Sequence, residues 1–255
     1  MHWDFALILL VLATVVPLLG KRRIRRLMEA SSTTKVDRLV LYASTIAFQW
    51  IAVALILWRT HAHDLSAASL GLAIPKPGLA LITAILLSTL ILVNQIVALG
   101  RLKEHPESSA HGILPHLALK VFPQDTVERF GFTALVSTVA ICEELIYRGF
   151  AQRVFQDWAA GVAGVGVAVT FGVVASAATF SLAHLYQGRR GLVSTFAVGL
   201  LFSTVRALTG SLVPGSAAHF VADITAGFLA PSHLRVGLAQ SKTVAGTERD
   251  APDAR

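Results

Sequence analysis

Long apolar runs recur along the chain, separated by short polar connections. A helix rising about 1.5 Å per residue needs roughly 20 apolar residues to cross a hydrocarbon core about 30 Å thick. The pattern therefore predicts seven membrane helices, at residues 3–20, 37–58, 78–99, 127–150, 161–187, 191–208 and 212–230. The expected fold is all-α, a polytopic transmembrane helical bundle. The longest connection, 100–126, contains ILPHLALKVFP at 113–123, short and apolar enough to lie at the interface or re-enter. In PQDTVERF, Asp125 is placed to cap a helix, and Glu128 at the third helical position suggests a capping box. Three parts are expected: membrane helices and an interfacial connection over 1–124, a helical core over 125–232, and a polar, disordered tail over 233–255.

Composition agrees. Of the 255 residues, 54% are hydrophobic and 15% charged, and mean hydropathy is +0.64. A soluble domain carries about 25% charged residues. The net charge of +7 does not make this a nucleic-acid-binding chain, because the cations are not gathered in a folded basic domain. Five lie in KRRIRR, residues 21–26, directly after the first apolar run, where they mark a cytoplasmic loop and contact with anionic lipid. On the seven-helix count, all basic residues but Arg59, Lys76, Arg148, Arg153 and Arg206 face one side. That bias predicts an outside N-terminus and a cytoplasmic C-terminus, as in a bacterial cytoplasmic membrane. The first run lacks a basic n-region, so a retained membrane helix is expected rather than a cleaved signal. Cys142 is the only cysteine, which excludes an intrachain disulfide.

Against this background CEELIYRGF, residues 142–150, stands out. A carboxylate at bilayer depth costs on the order of 2.5–3.5 kcal/mol on insertion scales, so two adjacent ones call for a reason. Glu144 and Arg148 are four apart and share a helix face. Glu143 lies about 140° from Arg148 at roughly 100° per residue. The expected ion pair is Glu144 with Arg148, leaving Glu143 free to act as a general base. An ion-paired packing device would account for these charges equally well.

Two later segments bear on that choice. FSLAH, residues 180–184, places His184 near a helix end, one turn from Phe180; HFVAD, residues 219–223, places His219 and Asp223 on one face. Counted from their nearest turns, His184 and His219 each lie about 10 Å inside opposite surfaces, so both approach a common depth in a core about 30 Å thick. Four ionisable groups can thus converge on one pocket.

EELIYR, FSLAH and HFVAD resemble, in order, the three motifs E-E-x-x-x-R, F-x-x-x-H and H-x-x-x-N/D of the CAAX-protease and bacteriocin-processing (CPBP) family. The resemblance covers about residues 125–230. It implies an intramembrane endopeptidase acting on a peptide or membrane-protein substrate, with Glu143 activating water and His184 assisting. It implies further that His219 and Asp223 stabilise the oxyanion, while Glu144, Arg148 and Phe180 support the site. Many members have asparagine where this chain has Asp223, and an ionised carboxylate cannot donate to an oxyanion. Asp223 would instead orient His219, or stay protonated. A metal-free glutamate mechanism is favoured; the alternative is zinc on Glu143, His184 and His219, although the HExxH spacing is absent. Other readings are a non-catalytic binding or immunity protein on the same fold, and a transporter, against which the lack of paired inverted halves counts. His61 and His63 are expected to be solvated, and Gly161, Gly164 and Gly166 to serve close helix packing.

Overall fold

A computed structural model of the chain describes residues 2–104 and 113–249, with side chains described over 2–101 and 116–231. Among the described residues there is no strand, and the helices are eight. They are α1 (Trp3–Glu29), α2 (Lys35–Ala62), α3 (Pro77–Glu104), α4 (Ile113–Val121), α5 (Thr126–Ala160), α6 (Val165–Ala183), α7 (Gly188–Thr209) and α8 (Val213–Arg249). Six of them, α1 to α3 and α5 to α7, are long and apolar enough to cross a membrane. The chain is therefore a helical membrane bundle of about the expected number of spans. In lipid a helix is the open-chain element that satisfies its own backbone, which is why apolar run after apolar run takes this form.

Burial separates the centre of the bundle from its rim. Half of the apolar window of α5 is buried, against 17% for those of α2 and α3. Helix α5 is thus the central element. Its first half packs on α2 and its last part on α6, while α6 packs on α7 and α8 on α3. The main core gathers Phe5 and Leu9 of α1, Ile56 of α2, Cys142 and Phe150 of α5, and Phe180 of α6.

Several boundaries depart from the sequence pattern. Helix α5 runs to Ala160 rather than ending at 150, because Glu144–Ala151 winds as a π-helix and the chain continues helically beyond it. Helix α6 then begins only at Val165, with Gly164 extended at its N-cap. Gly161, Gly164 and Gly166 are not close-packing positions: a Cβ on Gly164 or Gly166 would meet nothing within 4 Å. The close approaches are at Gly172, where a Cβ would lie 2.8 Å from the Gln152 carbonyl, and at Gly199, 3.1 Å from Ala177 Cα. Helix α8 continues past Pro231 to Arg249; residues 250–255 of the expected disordered tail lie outside the described residues. Segment 113–123 forms the short helix α4, whose Lys120 Nζ donates to the carbonyls of Leu27, Met28 and Ala30 and so caps the end of α1.

The Asp125 cap is present, with its carboxylate accepting from Glu128 N at 2.9 Å. The return bond reaches Gln124 N rather than Asp125 N. Glu128 is turned inward because its other oxygen accepts from Arg38 at 2.8 Å, a buried pair joining α2 to α5. Lys35 pairs with Asp125 at 2.7 Å and holds its carboxyl below the usual carboxylate range. At the other end of α2, His63 is not solvated: Nε2 lies 2.9 Å from Asp4 Oδ2, which also accepts from Arg59. An aspartate on a helix so largely apolar needs such partners, and His63 is within reach to provide one.

Candidate functional site

The unusual charges sit where α5 changes its winding. A π-turn is most often a single widened turn within an α-helix, frequently at a functional site. Here it begins at Glu144, so Glu143 is the last α-helical residue and its neighbour the first π-helical one. The two carboxylates diverge at this junction. Glu144 turns into the core, where Oε1 lies 3.1 Å from Arg148 Nη1 and 3.1 Å from His219 Nδ1. Glu143 turns toward α2, where Gln49 Nε2 donates to its Oε1 at 3.1 Å. The expected Glu144–Arg148 pair is present, and Glu143 stands apart from it.

Arg148 is fully enclosed. Its guanidinium stacks 4.0 Å from the Phe180 ring and 5.4 Å from that of Phe202. Among the described residues none of its three nitrogens makes a well-aligned hydrogen bond, so charge and ring faces hold it rather than directed bonds. Phe180 is the hub of this arrangement: its ring also lies 5.3 Å from Tyr147, 4.6 Å from His184 and 6.2 Å from His219. Opposite, Gly215 of α8 makes room for Glu144, since a Cβ there would sit 2.7 Å from Oε2.

His184 closes α6. Its Nδ1 lies 2.9 Å from the Phe180 carbonyl, which can only accept, so Nδ1 carries the proton of this contact. Glu143 and His184 line one cavity of about 420 Å³, walled by apolar residues of α1 and α2 together with Gln49, Tyr147 and Tyr186. Glu143 Oε2 is buried without a partner among the described residues. A second cavity, of about 610 Å³, is lined by Asp223, Arg23 and Gln95 among apolar groups. Tyr186 borders both.

His219 is buried on α8 between two carboxylates, with Nδ1 on Glu144 and Nε2 3.6 Å from Asp223. That second separation is longer than a hydrogen bond. His219 lies in the fields of Asp223, Glu144 and Glu143, and Asp223 in those of His219, Glu143 and His184. The structure thus brings Glu143 to His184 and Glu144 to His219, with Phe180 between the two pairs. It does not put all four ionisable groups on one hollow: Asp223 opens on the neighbouring cavity.

The zinc set fares poorly. Among the described residues no three His, Cys, Asp or Glu side chains are grouped to hold a metal ion. His219 has one nitrogen on Glu144 and the other 3.6 Å from Asp223, and it is not among the residues lining the cavity that Glu143 and His184 share. Glu143, His184 and His219 therefore do not fit zinc in this arrangement.

Sequence reasoning missed Gln49 and Tyr186. A single amide in the apolar run IAFQWIAVALI was the available signal for the first. Nothing in spacing singled out Tyr186, whose place between cavities comes from the 3₁₀ turn Leu185–Gln187 after His184.

Residues 126–225 match the family model described as Rce1-like, type II CAAX prenyl endopeptidase Rce1-like. Neither the curated proteins nor the solved structures contain a match to the chain.

Proposed function

Taking residues 126–225 as the segment that belongs to the Rce1-like CAAX-protease family, we propose that this integral membrane protein hydrolyses a peptide bond with water activated by Glu143. The observation carrying this reading is that Glu143 and His184 share a cavity within the bundle while Glu143 Oε2 has no hydrogen-bond partner among the described residues. A free carboxylate oxygen in a low-dielectric wall is the acceptor a general base presents to water. Gln49 fixes the other oxygen and so aims the carboxylate.

In the proposed reaction Glu143 removes a proton from water as the oxygen attacks the scissile carbonyl. His184, with Nδ1 tied to the Phe180 carbonyl, uses Nε2 to orient that water. His219 donates from Nε2 to the developing oxyanion, since its 3.6 Å separation from Asp223 leaves that proton unengaged. Asp223 and Glu144 favour the protonated ring by their charge, so an aspartate serves here where an amide would donate directly. Glu143 then delivers its proton to the leaving amine. Arg148 neutralises Glu144 and keeps it on His219. The substrate is a peptide or protein segment within the membrane, and the apolar wall of the Glu143 cavity suits an apolar stretch of it. A cytoplasmic C-terminus in a bacterial cytoplasmic membrane is part of this proposal.

The test compares peptide termini in membrane proteomes from cells expressing the wild type and Glu143→Gln at equal abundance. General-base loss lowers the rate about 10²–10⁴-fold, so termini produced by the wild type should vanish, and cleavage by purified wild type should survive a zinc-tight chelator. Identical termini in the two strains would remove the endopeptidase reading; loss on chelation that zinc restores would replace its metal-free form.

A further inference from the structure

A third cavity, of about 500 Å³, lies at the end of α1 and belongs to neither part of the site above. Lys21, Arg22 and Arg25 line it on the α1 side, with Leu18, Met28 and Leu185 as apolar walls. Arg25 has a loose, exposed pairing with Glu29 at 3.5 Å. Lys21 and Arg22 have no hydrogen bond or ion pair among the described residues. Neighbouring Arg23 contrasts with them, since it is tied to Ser44, Thr45 and the Leu41 carbonyl of α2. Nor are the free cations needed to cap α1, whose last carbonyls are taken by Lys120. Arg189 and Arg190, both exposed, follow Gly188 on the opposite rim.

The concavity lies where the apolar run of α1 gives way to the basic one. Leu18 and Leu19 are exposed on the apolar side, 53% and 52%, and the basic run begins two residues later. A ligand filling it needs a phosphate-like head beside an apolar tail. We propose that this cavity binds one anionic phospholipid, with its phosphate held by Lys21, Arg22 and Arg25 and the start of an acyl chain against Leu18. The site is more specific than the general attraction of a basic segment to an anionic surface, because cations and apolar groups from two parts of the chain line one concavity. Its lining includes Tyr186, which also borders the cavity of Glu143 and His184. A lipid seated there touches the turn that follows His184. The proposal does not depend on the endopeptidase reading, because binding is measured without catalysis.

The full chain in a neutral detergent is titrated with phosphatidylglycerol or phosphatidylcholine, and bound lipid is counted by native mass spectrometry. The wild type is expected to bind one phosphatidylglycerol in preference to phosphatidylcholine. Lys21→Gln with Arg22→Gln is expected to weaken that binding about thirtyfold, from the typical worth of two basic residues at a lipid surface. The exposed pair Arg101→Gln with Arg129→Gln removes the same charge elsewhere and is expected to leave affinity unchanged. Leu18→Trp, which crowds the cavity without altering charge, is expected to weaken binding as well. Wild-type affinity in the Lys21/Arg22 variant or in Leu18→Trp would overturn the proposal. So would an equal loss in the Arg101/Arg129 variant, which would mean diffuse attraction. Displacement of the lipid by millimolar inorganic phosphate would mean a free-anion site instead.

Discussion

At the scale of single residues, two adjacent glutamates of like chemistry receive different work from their neighbours. Glu144 has two cationic or ionisable partners and an enclosed place in the core, so it organises other side chains. Glu143 has one neutral partner, Gln49, and an open cavity. A neutral amide orients a carboxylate without quenching its charge as an arginine would, which suits a group that must accept a proton. Gln49→Leu keeps the apolar volume of α2 and removes that bond. Hydrogen bonds to charged groups contribute about 1.5–3 kcal/mol, so kcat for peptide cleavage should fall at least tenfold while the melting temperature in detergent stays close to that of the wild type. An unchanged kcat would mean that Gln49 does not aim the base.

The π-helical segment is the decisive element. It widens the turn after Glu143, from which successive carboxylates serve different neighbours, and it carries the chain on through Gly149 and Phe150 into the core. Gly149 makes this packing possible, because a Cβ there would lie 2.9 Å from the Leu70 carbonyl, a backbone atom that cannot swing aside. Gly149→Ala should therefore cost about 1–3 kcal/mol of stability through overpacking, read as a lower melting temperature. The loop that carries Leu70 is itself tied down: Gly71 O accepts from Leu212 N and Ser69 O from Arg206. Helix periodicity alone could assign the pair Glu144–Arg148 but had no means of showing the wider turn, since a π-bulge costs little in sequence pattern and is paid for by tertiary contacts.

Across the whole molecule, pairs of charges join helices that apolar surfaces alone would leave free to rotate. By sequence position Arg38 counts among the basic residues facing one side, yet it is buried with Glu128 and fastens α2 to the start of α5. That link also sets where Gln49, on the same helix, meets Glu143, on the same partner. Removing one member of a buried pair strands the other, at about 3–5 kcal/mol. Arg38→Met should lower the melting temperature strongly, and Arg38→Met with Glu128→Leu should recover much of the loss. A single variant as stable as the wild type would show that the pair is not structural. The Asp4, Arg59 and His63 group performs a similar service between α1 and α2 at the other end.

The sequence by itself determined that the chain is an all-helical membrane bundle, because hydrocarbon leaves unpaired backbone groups no alternative. It also determined which ionisable residues are out of place there, since charge in an apolar run is conspicuous at any spacing, and its three ordered motifs lie within residues 126–225, the segment that matches the Rce1-like family model. Only the tertiary structure decided which of those groups meet. Glu143 with His184, Glu144 with His219, and Asp223 on a separate cavity depend on helix rotation and on one widened turn. Those follow from side-chain packing between segments far apart in the chain, which no local pattern records.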